Sequence, residues 1–167
     1  MYNPLYLSTI LSILTEIFPN LGLSYFYPPN RSVSFYDKQE PLRWVVVFIV
    51  WVPIILTLFK ISQLYTLFAS FFIILSFYIN KNSKYKKKFN ESGILHLLGF
   101  LIIYCIIVQK ENENPKKIIY LIYILALLFG GFLMGKGRRK NLFIDIMGRL
   151  LFSFGFYQFV NILINMQ

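Results

Sequence analysis

Asp145 and Arg149 stand four residues apart in a run, 142–164, that carries no other charge. On a helix that spacing puts both side chains on one face, within reach of each other. Inside a bilayer such charges mark an ion pathway, a mutual pair or a partner contact. Asp145 lies near the start of its run, where a helix dipole favours an acid. Arg149 lies about 12 Å further in and can snorkel back toward the basic turn before it. The spacing therefore predicts a local intramembrane polar pair, ahead of a proton or ion path. Glu16, the one acid of the N-terminal stretch, reads as the wet face of a surface helix. His96 is the only histidine and Cys105 the only cysteine, both within one apolar run. A single residue of each type excludes a disulfide framework and argues against zinc or haem ligation by this chain alone. No nucleophile–base set, paired carboxylates, phosphate loop or metal-ligand spacing is present. No catalytic, cofactor-binding or metal residue, and no cofactor, is expected.

The elements that must hold these residues are apolar. The chain has 167 residues, 57% hydrophobic and only 14% charged, where a soluble domain carries roughly 25% charge. Five runs, 44–59, 62–79, 93–108, 118–134 and 142–164, approach or reach the length of a crossing. A weaker sixth, 5–18, is amphipathic. Leu7, Ile10, Leu11, Leu14, Ile17 and Phe18 fall on one side, and Ser8, Ser12, Thr15 and Glu16 on the other. Pro4 and Pro19 bracket it. Fourteen residues reach about 21 Å, short of the ~30 Å hydrocarbon core. The expected fold is an all-α polytopic transmembrane protein of five spans plus an N-terminal amphipathic, interfacial helix. Residues 1–43 form the helix and an interfacial loop, and 44–167 the five-helix transmembrane domain. A kink is expected at Pro53 and a tight turn at Lys60–Ile61.

Charge sits between the runs. Segments 24–43, 80–92 and 135–141 hold twelve of the seventeen Lys and Arg residues. Five crossings put those three segments on one side, the side from which the chain is inserted. The N-terminal region then faces the matrix or cytoplasm and the C-terminal end the opposite side. Lys84, Lys86, Lys87, Lys88, Arg138, Arg139 and Lys140 are placed to meet anionic, cardiolipin-like headgroups. That placement accounts for the net charge of +10 without nucleic acid.

Small residues are scarce, which makes their positions informative. Gly131 and Gly135 form a GxxxG, and Ala126 and Gly130 a second small-xxx-small pair. Gly148 and Gly155 are their natural counterparts across the short 135–141 turn. Such residues let helix backbones approach closely.

The composition also points to a source. Phe 18 and Tyr 12 outnumber Gly 9, and alanine occurs only at Ala69 and Ala126. Abundant AT-rich codons and scarce GC-rich ones indicate an AT-rich genome, mitochondrial first with plastid and small bacterial genomes as alternatives, ahead of an AT-rich nuclear one. Residues 1–30 show neither a signal-peptide pattern nor an Arg-rich transit pattern. The expected role is a non-catalytic membrane subunit of an energy-transducing, respiratory-chain type complex in the mitochondrial inner membrane. Its partners are other membrane subunits. The alternative is a small six-helix transporter component with 5–27 as its first span. In size and span count the chain resembles the five-helix subunit of respiratory complex I. Its third span, GILHLLGFLIIYCIIVQK, lacks that family's small-residue bend, so the family is not assigned. In composition it resembles divergent mitochondrially encoded proteins of ciliates.

Overall fold

A computed structural model describes residues 3–18, 21, 23, 33–82, 87–137 and 141–167, with side chains described outside 33–40, 77–93 and 135–137. Among the described residues the chain is all-helical, in six helices. These are α1 (Pro4–Ile17), α2 (Val33–Ile61), α3 (Gln63–Asn82), α4 (Lys87–Lys110), α5 (Asn114–Gly137) and α6 (Leu142–Asn165). Three segments are long and apolar enough to cross a membrane: Pro41–Ile61, Asn114–Met134 and Leu142–Asn165. They point to an integral membrane protein. Pro4–Ile17, Gln63–Ser76 and Ile94–Lys110 are shorter apolar stretches.

Four of the six apolar runs expected in the sequence lie wholly within a helix, and the runs 5–18 and 62–79 each overhang theirs by one residue. Hydropathy marks where hydrocarbon ends. A helix continues until a cap or a breaker satisfies or removes its terminal hydrogen bonds. The largest departure is α2. It starts at Val33 and runs through both Pro41 and Pro53, so more than half of the expected loop 24–43 is helical. At the other end, Ser62 alone separates α2 from α3. Its N–H donates to Leu58 O at 2.9 Å and its carbonyl accepts from Thr66 N at 3.1 Å. One residue thus closes one helix and opens the next, a usual N-cap role for serine.

The chain divides into two compact units, Met1–Ile54 with Ile122–Gln167, and Ile55–Leu121. In the first, α1 opens on Asn3, whose side chain accepts from Leu5 N at 3.0 Å, with Pro4 at the first helical position. α6 opens in the same way on Asn141, which accepts from Phe143 N at 3.0 Å. α1 lies antiparallel along α6. Asn3, at its start, donates to Gln167 at 2.8 Å, and Glu16, at its end, meets Arg149.

α1 is inverted relative to a helix on a wet surface. Its buried residues are Leu5, Ser8, Thr9, Ser12, Thr15 and Glu16. Tyr6, Leu7, Ile10, Leu14, Ile17 and Phe18 are exposed. The expectation that Glu16 and its polar neighbours face water is therefore corrected: they face inward. The helix can hide them because its own backbone satisfies them. Thr9 donates to Leu5 O at 2.9 Å, Ser8 to Pro4 O at 3.2 Å and Thr15 to Ser12 O at 3.0 Å.

Where α5 meets α6, the backbones almost touch. A Cβ on Gly130 would clash with the Phe152 backbone and lie 2.8 Å from Gly148 O. One on Gly148 would lie 2.7 Å from Met134 N, and one on Gly155 2.5 Å from Leu127 N. Contacts at 127, 130 and 134 on α5 interlock with 148, 152 and 155 on α6, each set within two helical turns. Ile124, Leu127, Met134, Phe156 and Phe159 fill the core around this seam.

In the second unit α3 packs on α4. A Cβ on Gly99 would stand 2.7 Å from Ile73 Cγ1 and 3.2 Å from Ala69 O. Phe100 and Ile103 are buried beside it. Tyr104 donates to Lys117 O at 3.3 Å and ties α4 to the start of α5.

Candidate functional site

The polar positions of α1 and α6 converge on one guanidinium. On α1, Ser8, Ser12, Thr15 and Glu16 recur at three- and four-residue intervals and fall on the buried face. On α6, Asp145, Arg149 and Ser153 recur every fourth residue, all buried. Arg149 is the hub. Its Nε donates to Asp145 Oδ2 at 2.8 Å and its Nη2 to Oδ1 at 3.2 Å, a two-pronged grip. Its Nη1 donates to Glu16 Oε2 at 2.8 Å and to the Glu16 main-chain carbonyl at 3.3 Å. Exposure is 2% for Glu16, 2% for Asp145 and 5% for Arg149.

Each contact has a separate physical reason. Asp145 sits in the first turn of α6, at the positive end of its dipole. Glu16 is the penultimate residue of α1, so its carbonyl is one of the last four that a helix leaves without an internal donor. Arg149 supplies that donor and places a cation at the negative end of α1. Arginine suits this position because its planar fork holds several acceptors at once and does not lose its proton.

Asp145 and Arg149 thus lie within hydrogen-bonding distance, in a cluster larger than the expected pair. Sequence reasoning missed the third member, Glu16. Its signal was present, a lone acid on the polar side of an amphipathic helix, and was assigned to water. Ser153, four residues beyond Arg149 on the same face, carries a buried hydroxyl with no hydrogen-bond partner among the described residues.

A smaller polar contact joins α3 and α4. His96 Nδ1 lies 2.7 Å from Ser76 Oγ, and Ser76 Oγ donates to Ile73 O at 2.7 Å. A hydroxyl has one proton. Which partner donates between Ser76 and His96 depends on the imidazole tautomer. The His96 ring also stacks on Phe100 at 5.4 Å.

The remaining residues of interest are distributed as follows. Gly130, Gly148 and Gly155 meet at the α5–α6 seam, while Ala126 and Gly131 are half-buried on α5. Gly99 was not anticipated, although it is the one glycine of the third apolar run past Gly93. The surroundings of Gly135 lie outside the described residues, as do Lys84, Lys86, Arg138, Arg139, Lys140 and the side chains of Lys87 and Lys88. Among the described residues, no group of three or more His, Cys, Asp or Glu is placed to hold a metal ion. No protein family, no curated protein and no solved structure matches this chain.

Proposed function

We propose that this chain is a non-catalytic integral membrane subunit of a larger energy-transducing complex of the respiratory-chain type. In this reading it is encoded by an AT-rich organelle genome and resides in the mitochondrial inner membrane. α2 to α6 make five crossings, with 24–43, 80–92 and 135–141 on the matrix side. Lys84, Lys86, Lys87, Lys88, Arg138, Arg139 and Lys140 meet anionic, cardiolipin-like lipid there. Other membrane subunits cover part of the outward apolar surface.

The observation that carries this reading is how the buried charge is used. Arg149 spends its donors on Asp145, Glu16 and a helix-end carbonyl, so the cluster fastens α1 to α6. An arginine held in this way neither accepts a proton nor presents a cation to a substrate. The glycine seams have the same purpose, close helix contact. Purification in mild detergent tests the proposal. Comigration with cytochromes or a dehydrogenase is the expected result. A monodisperse free monomer, unattached to any other membrane protein, would overturn it.

One observation favours a second reading, a small six-helix transporter component. Ser153 brings an unpartnered hydroxyl to the polar face of α6, and a solute site needs such groups. Retention of a small polar molecule by the purified monomer would decide for it.

A further inference from the structure

The N-terminal helix poses a problem of sides. Asn3 and Gln167 are hydrogen-bonded at 2.8 Å, so they occupy the same end of the α1–α6 pair. If α2 to α6 cross five times, the start of α2 and the end of α6 lie on opposite faces of the membrane. Residue 3 is at the α6 end, and residue 33 is at the other face. The chain between them must then cross once more. α1 is the one helix described in that stretch.

The faces of α1 give the same answer independently of the crossing count. In water, a helix that hid Ser8, Ser12, Thr15 and Glu16 and exposed Leu7, Ile10, Leu14 and Phe18 would be inside out. In hydrocarbon this is the favoured arrangement, because polar groups must be satisfied within the protein. α1 runs beside α6, itself long and apolar enough to cross. Leu150, Phe154 and Tyr157 are exposed along the part of α6 that α1 accompanies. The outward face of α1 therefore lies at the same depth as an exposed apolar face of its neighbour. An interfacial helix would keep its charged face in headgroups and water, and here that face is closed by Arg149.

We propose that α1 is a sixth membrane-crossing helix. Its face of Tyr6, Leu7, Ile10, Leu14, Ile17 and Phe18 is bathed in lipid acyl chains, and Asn3 and Gln167 lie on the side opposite the basic loops. Its 14 residues cover about 21 Å. Arg149 lies seven residues inside α6, so α1 ends about 10 Å short of the α6 start. This inference rests on the five-crossing part of the proposed topology and not on membership of a respiratory complex.

The test uses single-cysteine variants in a Cys105→Ser background, in sealed native membrane vesicles. Tyr2→Cys, Asn165→Cys, Ser83→Cys and Asn141→Cys report sides through a membrane-impermeant maleimide. Ile10→Cys with a nitroxide label reports surroundings. The expected result has Tyr2→Cys and Asn165→Cys reacting from one face, and Ser83→Cys and Asn141→Cys from the other. The Ile10 nitroxide is then relaxed several-fold more by oxygen than by a water-soluble nickel complex. Labelling of Tyr2→Cys from the face opposite Asn165→Cys overturns the proposal. So does relaxation of the Ile10 label mainly by nickel, which means an interfacial helix. Protection from both relaxants also overturns it and assigns the face to a protein neighbour. Opposite accessibility of Ser83→Cys and Asn141→Cys would instead remove the five-crossing premise. Failure to comigrate with a complex would leave this result untouched.

Discussion

Arg149 donates to both the carboxylate and the main-chain carbonyl of Glu16, a residue 133 positions earlier in the chain. The same guanidinium holds Asp145 one turn back on its own helix. A single side chain thus joins the two ends of the sequence, and its removal exposes two buried acids to each other.

Substitutions in the cluster follow from that arrangement. Arg149→Gln leaves two buried carboxylates without their counter-charge, which costs about 3–5 kcal/mol. Asp145→Asn with Arg149→Gln still strands Glu16, so this double variant recovers little. The triple variant Glu16→Gln, Asp145→Asn, Arg149→Gln removes every charge and should recover most of the loss. Thermal unfolding and assembly yield in detergent check the order. Full stability in Arg149→Gln would show that the cluster holds nothing together.

The α5–α6 seam predicts a sharp contrast between adjacent glycines. Gly130→Ala and Gly148→Ala drive a methyl into facing backbone, which cannot rotate away, and should each cost about 1–3 kcal/mol. Gly131→Ala, half-buried, should stay within about 0.5 kcal/mol. Equal unfolding temperatures for Gly130→Ala and Gly131→Ala would contradict the close approach.

Ser76 and His96 should be energetically coupled. In a double-mutant cycle, Ser76→Ala and His96→Phe should couple by about 0.5–1.5 kcal/mol. His96→Asn, which keeps a side-chain N–H, should lose less than His96→Phe. Additive effects of Ser76→Ala and His96→Phe would mean that the pair contributes nothing.

The turn between α4 and α5 should loosen in acid. Glu113 N–H donates to Glu111 at 3.0 Å, and Tyr120 Oη to its other oxygen at 2.9 Å. The Glu113 amide first, then the Tyr120 hydroxyl, hold the Glu111 carboxyl below its ordinary value of 4.5. A lowered carboxyl stabilises the turn above its unfolded-state value and loses that effect as pH falls through the lowered one. Amide exchange at Glu113 should therefore accelerate below pH ~4.5, and Tyr120→Phe should move the onset to higher pH. A pH-independent exchange rate, corrected for intrinsic chemistry, would refute this.

The helices were legible because hydrophobic runs and flanking charge report depth in a bilayer directly. The face of α1 was not. Its periodicity separates Ser8, Ser12 and Glu16 from Leu7, Ile10 and Leu14 correctly, but the same pattern suits a helix in water with polar residues outward or one in lipid with them inward. Arg149, far along the chain, shows which face of α1 is turned inward. Val33–Arg43 was misread for another reason: Pro41 and scattered charge resemble a loop, yet neither prevents a helix that a neighbouring span extends. Gly99 was overlooked because a lone glycine carries no spacing signal until Ile73 and Ala69 stand opposite it. Asp145 and Arg149 were found because both members of their contact lie within one helical turn.

The long reach from Glu16 to Arg149 has a temporal consequence. Synthesis at 5–20 residues per second separates the emergence of the two side chains by about 7–27 s. Throughout that interval the contacts that Arg149 makes with the Glu16 carboxylate and main-chain carbonyl cannot form. Arg149 becomes available only when α6 is being made, so the ionic contact between α1 and α6 forms after α2 to α5 have been synthesised. A ribosome that stalls before α6 leaves α1 without the guanidinium that fastens it.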